Sequence, residues 1–300
     1  MLDKASYFAY RGGSAVANAL PRGVATRLAQ ILGRTAAFFV PKKRRVVERN
    51  LRRATDNQLR GFALQMAVSN TFASYGRYWI ELFRLPRLAS ADGNRLDGIV
   101  DAEGVQHITD ALALGNGVVV ALPHLGGFDV AAAWLASTGV PSTVVVEEVN
   151  PPELFEWFAQ TRRAIGMEIV PLGQEAGAAI LNALRANGVV GLLSDRDLVG
   201  GGVPVMFFGE ETTLPAGPAV LALRTGAPLI VAGAYFREHG RHFVRFSAPL
   251  NVQREGRLRD DVARVMRDVA RNMEDLIRIA PEQWHVMQPN WPSDHDLNAR

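Results

Sequence analysis

Two short polar clusters interrupt apolar runs in this 300-residue sequence. The first, His124-Leu125-Gly126-Gly127-Phe128-Asp129, directly follows the apolar run 117–122. Histidine is the side chain whose ordinary pKa suits proton transfer near neutrality. A carboxylate holding one ring nitrogen fixes the tautomer and leaves the other nitrogen free to take a proton from a hydroxyl. Asp129, in the first turn of the helix expected next, is placed for that role toward His124. Spacing alone is weak support. With six His and 15 Asp in the chain, His-x4-Asp arises by chance in about a third of such sequences. The plainer alternative is a histidine closing a strand, with Asp129 capping the next helix. The second cluster, Ser194-Asp195-Arg196-Asp197, follows the run 189–193. It reads either as a salt bridge on a solvated turn or as a second acid serving His124 or an acceptor.

Other chemistries lack their residues. With no cysteine there is no thiol nucleophile, disulfide, Cys-ligated zinc or iron–sulfur cluster. No Gly-x-Ser-x-Gly elbow and no Gly-x-Gly-x-x-Gly fingerprint occurs. Gly200-Gly201-Gly202 could bring backbone N–H groups to a phosphate but is far from a P-loop pattern. His239 and His242, the one close histidine pair, read as a surface turn, so no metal site is expected. His107 and His285 read as packing residues.

The elements that must position these clusters alternate. Strands are expected at 98–101, 117–122, 143–147, 168–171, 189–193, 205–208, 229–235 and 242–247, with helices at 104–114, 127–137, 152–165, 175–187, 216–225 and 256–279. Nearly all-apolar strands alternating with helices indicate an α/β sheet covered by helices on both faces. Both polar clusters then sit beyond strand carboxyl ends, where ligands of such sheets bind. Residues 1–90 read as helical throughout. The whole chain, 1–300, reads as one domain, with an α/β core over 97–292 and a basic amphipathic helical appendage over 1–60.

Charge separates that appendage from the rest. The formal net charge is +3, but residues 1–60 carry 13 Lys and Arg against three acids, and the remainder is net −7. Within the segment 24–40, Val24, Leu28, Ile31 and Leu32 recur at helical spacing, while Arg27 and Arg34 lie on another side. Burying those guanidiniums in hydrocarbon is costly, so the segment does not span a bilayer. It reads either as a packed helix with a solvated basic face or as a contact with an anionic membrane surface. Nucleic acid is disfavoured, because aromatics do not interleave with the basic run and the body is acidic. The amino terminus lacks the layout of a secretory signal, which leads us to expect a protein retained in the cytosol.

After His-x4-Asp come Asp195-Arg196-Asp197, Val203-Pro204-Val205-Met206-Phe207-Phe208-Gly209 and Leu214-Pro215-Ala216-Gly217-Pro218-Ala219. In this order the motifs resemble the bacterial lipid acyltransferases, the group of lysophospholipid and lipid A late acyltransferases. Within that group the likeness is greatest to the actinobacterial enzymes acting on phosphatidylinositol mannoside. Ser74-Tyr75-Gly76-Arg77-Tyr78-Trp79, Phe83-Arg84-Leu85-Pro86, Ala121-Leu122-Pro123-His124 and Trp284-His285-Val286-Met287-Gln288-Pro289-Asn290-Trp291 extend it over about residues 70–292. The resemblance implies a mixed sheet wrapped by helices, whose amino-terminal helices rest peripherally on the cytoplasmic face of the cell membrane. It implies transfer of an acyl group, typically palmitoyl, from acyl-CoA as co-substrate to a mannose hydroxyl, with no resident cofactor. His124 is then the general base, Asp129 orients it and Asp195 assists it. Arg162, Gly201 and Arg224 join His124 and Asp195 on the acyl-CoA side, and Glu147 stands at the mouth of the acceptor site. Four positions depart from the family pattern. Gly127 and Phe128 stand where Asn and Trp are usual, Asp195 where Glu is common, and Arg224 where an acid is expected. A lysophospholipid or another glycolipid is the alternative acceptor, and a non-catalytic lipid-binding relative the alternative class.

Overall fold

The computed structural model describes residues 2–90, 96–147, 149–173, 176–197 and 200–298. The expected helix start at Glu175, and Leu198 and Val199 of the stretch after Asp195, lie outside them. Four helices come first: α1 (Leu2–Ala19), α2 (Arg22–Ala36), α3 (Pro41–Ala54) and α4 (Gly61–Ser90). Strands and helices then alternate through β1 (Val100–Glu103), α5 (Val105–Ala113), β2 (Val118–Leu122), α6 (Phe128–Ser137), β3 (Ser142–Val146), α7 (Pro152–Arg163), β4 (Met167–Pro171), α8 (Ala176–Arg185) and β5 (Val189–Leu193). After β6 (Val203–Phe207) and β7 (Glu210–Leu214) come α9 (Gly217–Thr225), β8 (Leu229–Phe236), β9 (His242–Phe246) and α10 (Leu258–Ile279).

Seven strands form one mixed sheet in the order β1-β9-β8-β2-β5-β3-β4. Every neighbouring pair is parallel except β8 with β9. The reason β2 is uniformly apolar is visible in its two faces. Val119 and Ala121 join a core with Ile180 of α8, Ala222 of α9 and Met266 of α10. Val118 and Val120 join a second core with Leu82 of α4, Ile108 of α5, Val130 of α6 and Ala159 of α7. A strand buried on both sides has no solvent face to carry polar residues. The covering helix α10 shows the complementary pattern, burying Val262, Val265, Met266, Val269, Met273 and Leu276 along one stripe.

Two elements differ from the sequence expectation. Strand β6 leaves the main sheet and pairs antiparallel with β7 in a separate hairpin. The polar run Glu210-Glu211-Thr212-Thr213 carries no apolar strand signal. Its turn is Phe208-Gly209, with φ of +53° and +76°, a two-residue hairpin geometry usually announced by Asn-Gly. The amphipathic helix expected over 24–40 ends early: α2 stops at Ala36, and α3 starts at Pro41, a first-turn position where the missing N–H costs nothing.

Candidate active site

His124 is delivered to the carboxyl edge of the sheet by β2, and the turn behind it depends on two glycines. Gly126 adopts φ +55°, and a Cβ there would stand 2.4 Å from the Ala234 carbonyl oxygen. A Cβ on Gly127 would stand 2.7 Å from His242 Nδ1. His242 therefore occupies the room a side chain at 127 would need. This gives the Gly127 departure from the family pattern a physical basis. It also corrects the assignment of His242 to a surface turn. The residue is 1% exposed, and its Nε2 lies 2.9 Å from Glu81 Oε2. Burial alone would raise the Glu81 carboxyl, but His242 and Arg77 outweigh it and hold the group below its ordinary value.

Asp195 arrives at the end of β5, the parallel neighbour of β2. Its Oδ1 lies 2.6 Å from His124 Nδ1, while Oδ2 accepts the His124 backbone N–H at 2.9 Å and the Trp284 Nε1–H at 2.8 Å. The carboxylate is fully buried. Burial pushes it up, but His124 and the Trp284 donor prevail, so it stays ionised below the usual carboxylate range. With Nδ1–H donating to Asp195, the neutral imidazole carries its lone pair on Nε2, the arrangement of a general base. Among the described residues Nε2 has no hydrogen-bond partner in the protein, and the ring keeps 17% of its surface exposed.

The orienting acid is thus Asp195. Asp129 belongs to a different network, which corrects the expected Asp129–His124 pair. Its Oδ1 accepts Arg162 Nε–H at 2.7 Å, and its Oδ2 accepts Arg162 Nη2–H at 3.0 Å and the Tyr78 hydroxyl at 2.9 Å. Burial and the Asp129 charge raise the Tyr78 phenol well above its ordinary value. Burial lowers the Arg162 pKa, but Asp129 and Tyr78 reverse this and raise it, so the guanidinium stays charged. Arg162, expected on the acyl-CoA side, has its fork on Asp129. The network reaches His124 through packing: Phe128 stacks on Tyr78 with centroids 5.0 Å apart and meets the His124 ring edge-on at 5.8 Å.

The remaining expected residues scatter around this centre. Glu147, just beyond β3, is half exposed and lies 3.7 Å from the Arg196 guanidinium. Gly201 is exposed, with φ +85° and open space where a side chain would project. Arg224 is not brought to His124. It is exposed in the last turn of α9, just before the chain enters the amino-terminal end of β8, whereas His124 follows the carboxyl end of the parallel β2. No three His, Cys, Asp or Glu side chains among the described residues converge as metal ligands.

The carboxy-terminal segment supplies what the sequence reasoning missed. Besides Trp284, Asn290 Nδ2–H donates to the Asp195 carbonyl at 2.9 Å, and the His285 backbone N–H donates to the His124 carbonyl at 2.8 Å. His285 packs against Tyr75 and Tyr78 with Nε2 2.9 Å from Ser74 Oγ. Burial pushes its pKa down to about 3. It is a neutral packing residue. The motif Trp284 to Trp291 is the signal that could have located these contacts.

A buried acid clamping a histidine at a strand end is an arrangement able to assist removal of a proton from a hydroxyl, and comparison of sequences supplies the family. Residues 1–293 match the bacterial lipid A biosynthesis acyltransferases, and the chain belongs to that family. A protein of Mycobacterium tuberculosis named phosphatidylinositol mannoside acyltransferase is 39% identical over 231 residues, 76% of this chain and 71% of its own length. One of the same name from Mycolicibacterium smegmatis is 36% identical over 230 residues, 76% of this chain and 73% of its own.

Proposed function

We propose that the protein transfers a long fatty acyl group, palmitoyl in the first instance, from acyl-CoA to a mannose hydroxyl of phosphatidylinositol mannoside at the cytoplasmic face of the membrane. The observation that carries this reading is the His124–Asp195 pair beside an apolar cavity. Between α6 and the sheet lies an apolar cavity of about 70 Å³ lined by Leu122, Phe128, Ala132, Leu135, Val144 and Gly191, among others. Its lining reaches from β9 across β8, β2 and β5 to β3. Four strand spacings make that about 19 Å of apolar lining, the direction along which an acyl chain would lie once α6 gives it room. Phe128 belongs both to this lining and to the contact with His124.

A thioester is already activated, so the protein need only align the alcohol and remove its proton. His124 Nε2 takes that proton as the alcohol oxygen attacks the thioester carbonyl. Asp195 stabilises the resulting imidazolium, and the CoA thiolate leaves and is protonated by it. No covalent acyl-enzyme is required.

The amino-terminal helices support a membrane contact. Helix α2 buries Ala25 and Ala29 against α4 and exposes Val24, Leu28, Ile31 and Leu32, while Phe38, Phe39 and Phe62 are 74%, 79% and 81% exposed. A helix with its small residues inward and its large apolar residues outward requires an apolar exterior. Exposed Arg27, Arg34, Lys42, Lys43 and Arg45 flank that surface and suit anionic headgroups. No described helix is long and apolar enough to cross a membrane.

The test is a reaction with palmitoyl-CoA and anionic vesicles bearing phosphatidylinositol mannosides, read by mass spectrometry of the lipids. Wild type should form the acylated mannoside, and His124→Ala, folded by circular dichroism, should not. Transfer to lysophospholipid with none to any mannoside would reject the acceptor, and wild-type turnover by His124→Ala would reject the base. In the same vesicles, Phe38→Ser with Phe62→Ser should weaken sedimentation with the lipid, and unchanged sedimentation would reject this membrane face.

A further inference from the structure

Arg196 directly follows Asp195, yet neither the His124 relay nor the Asp129 network uses it. Its Nη1–H donates to Gln288 Oε1 at 2.7 Å, which fixes one side of the guanidinium. The other side is unspent. Nη2 lies 3.7 Å from Glu147, beyond hydrogen-bonding range, and Nε is buried with no acceptor among the described residues.

The described acids nearby do not neutralise this charge. Asp195 is engaged by His124 and Trp284. Asp197 accepts the Gly200 and Gly202 N–H groups and the Thr213 hydroxyl. Glu147 is 52% exposed, so water screens its pull. A buried donor without a partner is costly and rare in native proteins. An arginine anchored on one side, with no acceptor on its Nε–Nη2 edge among the described residues, has the donor spacing that matches two oxygens of one tetrahedral anion, provided a small shift uncovers Nε. Arg196 and Glu147 follow the carboxyl ends of β5 and β3, strands paired in parallel, at the same edge of the sheet as His124, which follows β2.

We infer that Arg196 forms a binding site for a phosphate ester carried by a substrate. The identity of that substrate rests on the acyltransferase reading above, whereas the existence of the site does not. Under that reading both substrates carry phosphate, the acceptor as a phosphodiester and the donor on its coenzyme. A neutral mannose or an acyl chain offers no such anion.

Calorimetric titration of the full chain with glycerophosphoinositol, coenzyme A, dephospho-coenzyme A and inositol reads the site without turnover. The expected result is that wild type binds at least one phosphorylated probe more tightly than inositol. Arg196→Gln should weaken that binding by about 10- to 100-fold, the effect of losing charge-assisted hydrogen bonds. Arg196→Lys, which keeps the charge without the fork, should fall between the two, and Glu147→Gln should tighten binding. The responding probe identifies acceptor or donor as the source of the phosphate, and the KM for that substrate should rise by a similar factor with kcat within about threefold. Equal binding by wild type and Arg196→Gln would overturn the site. So would a joint fall of kcat and thermal midpoint with binding unchanged, because that marks Arg196 as a scaffold residue. If wild type binds the probe but transfers no acyl group, the acyltransferase reading fails and the site survives.

Discussion

Asp195→Asn separates a histidine held as a base from one merely held in place. Oδ2 receives two donors, the His124 backbone N–H at 2.9 Å and the Trp284 Nε1–H at 2.8 Å, whereas Oδ1 faces only His124 Nδ1. An asparagine would keep its single oxygen where two donors point and turn its NH2 toward Nδ1. The imidazole would then accept at Nδ1 and carry its proton on Nε2, the wrong tautomer for a base. In Ser-His-Asp hydrolases the equivalent wrong-tautomer replacement lowers turnover by about 10⁴-fold with the geometry intact. We expect a fall of about 10³- to 10⁴-fold here, a barrier increase of about 4–5.5 kcal/mol. Every buried polar group keeps a partner, so the stability loss should be only about 1–3 kcal/mol. The pH dependence has a definite sign. Because the folded-state pKa of Asp195 is depressed, its ionised form contributes stability in full above the unfolded value near 4. That contribution is lost as pH falls through the folded value. Wild type and Asp195→Asn should therefore differ most at neutral pH and converge below pH of about 4. Acyl-transfer kinetics, ¹⁵N chemical shifts of the His124 ring and urea unfolding across pH provide the readouts. Turnover within tenfold of wild type, or an Nδ1-protonated ring in the variant, would refute the reasoning.

The Asp129 network makes a contrasting prediction. Asp129→Ala leaves the Arg162 guanidinium and the Tyr78 hydroxyl buried without their acid, which should cost about 3–5 kcal/mol of unfolding free energy in urea. A loss under 1 kcal/mol would show that the pair is not structural. At the turn, Gly127→Asn should destabilise by about 1–3 kcal/mol, as overpacking does, because its Cβ would meet His242. Adding His242→Ala should recover part of that loss, giving a favourable coupling of at least about 0.5 kcal/mol. Strict additivity in the double-mutant cycle would reject the steric account.

Much of this architecture was legible because its determinants are local. Strand 189–193 matches β5 residue for residue, and the other core strands are displaced by a residue or two at their ends, since burial on both sheet faces leaves an apolar run that composition detects directly. The hairpin β6–β7 broke the rule because it is half exposed, and its turn uses Phe208 at positive φ. At the site, His124 and Asp195 could be picked out by their places after apolar strands, but the partner of each acid could not. Asp129, five residues from His124, is the natural local candidate. Asp195, 71 residues away, wins because β5 lies beside β2 in the sheet, a pairing set by crossover topology that no sequence spacing encodes. Trp284 and Asn290 were hidden for the same reason. Their contacts depend on a terminal segment folding back over β2, seen in the Leu125–Trp284 bridge.

The charge of the amino-terminal segment also changes meaning once its side chains are located. A net of +10 over residues 1–60 suggests a uniformly available cationic surface, yet several of its arginines face the body. Arg22 donates to the Gly240 carbonyl, Arg49 pairs with the fully buried Asp294, and Arg53 contacts Glu210 and Asp294 while lying 4.0 Å from the Trp291 ring centroid. These charges attach the helices to the acidic α/β body and are not free for an external partner. The cations left outward include Arg27 and Arg34 on α2 and Lys42, Lys43 and Arg45 at the start of α3, and they flank the exposed side chains of Val24, Leu28, Ile31, Leu32, Phe38 and Phe39. Charge and exposed apolar surface therefore coincide on the part of the segment not committed to the body. A solvated basic face has no use for that apolar surface, and a nucleic-acid contact would not require its aliphatic residues. The proposed contact with an anionic bilayer would use both, with the hydrocarbon boundary taking the side chains and the headgroups taking the cations.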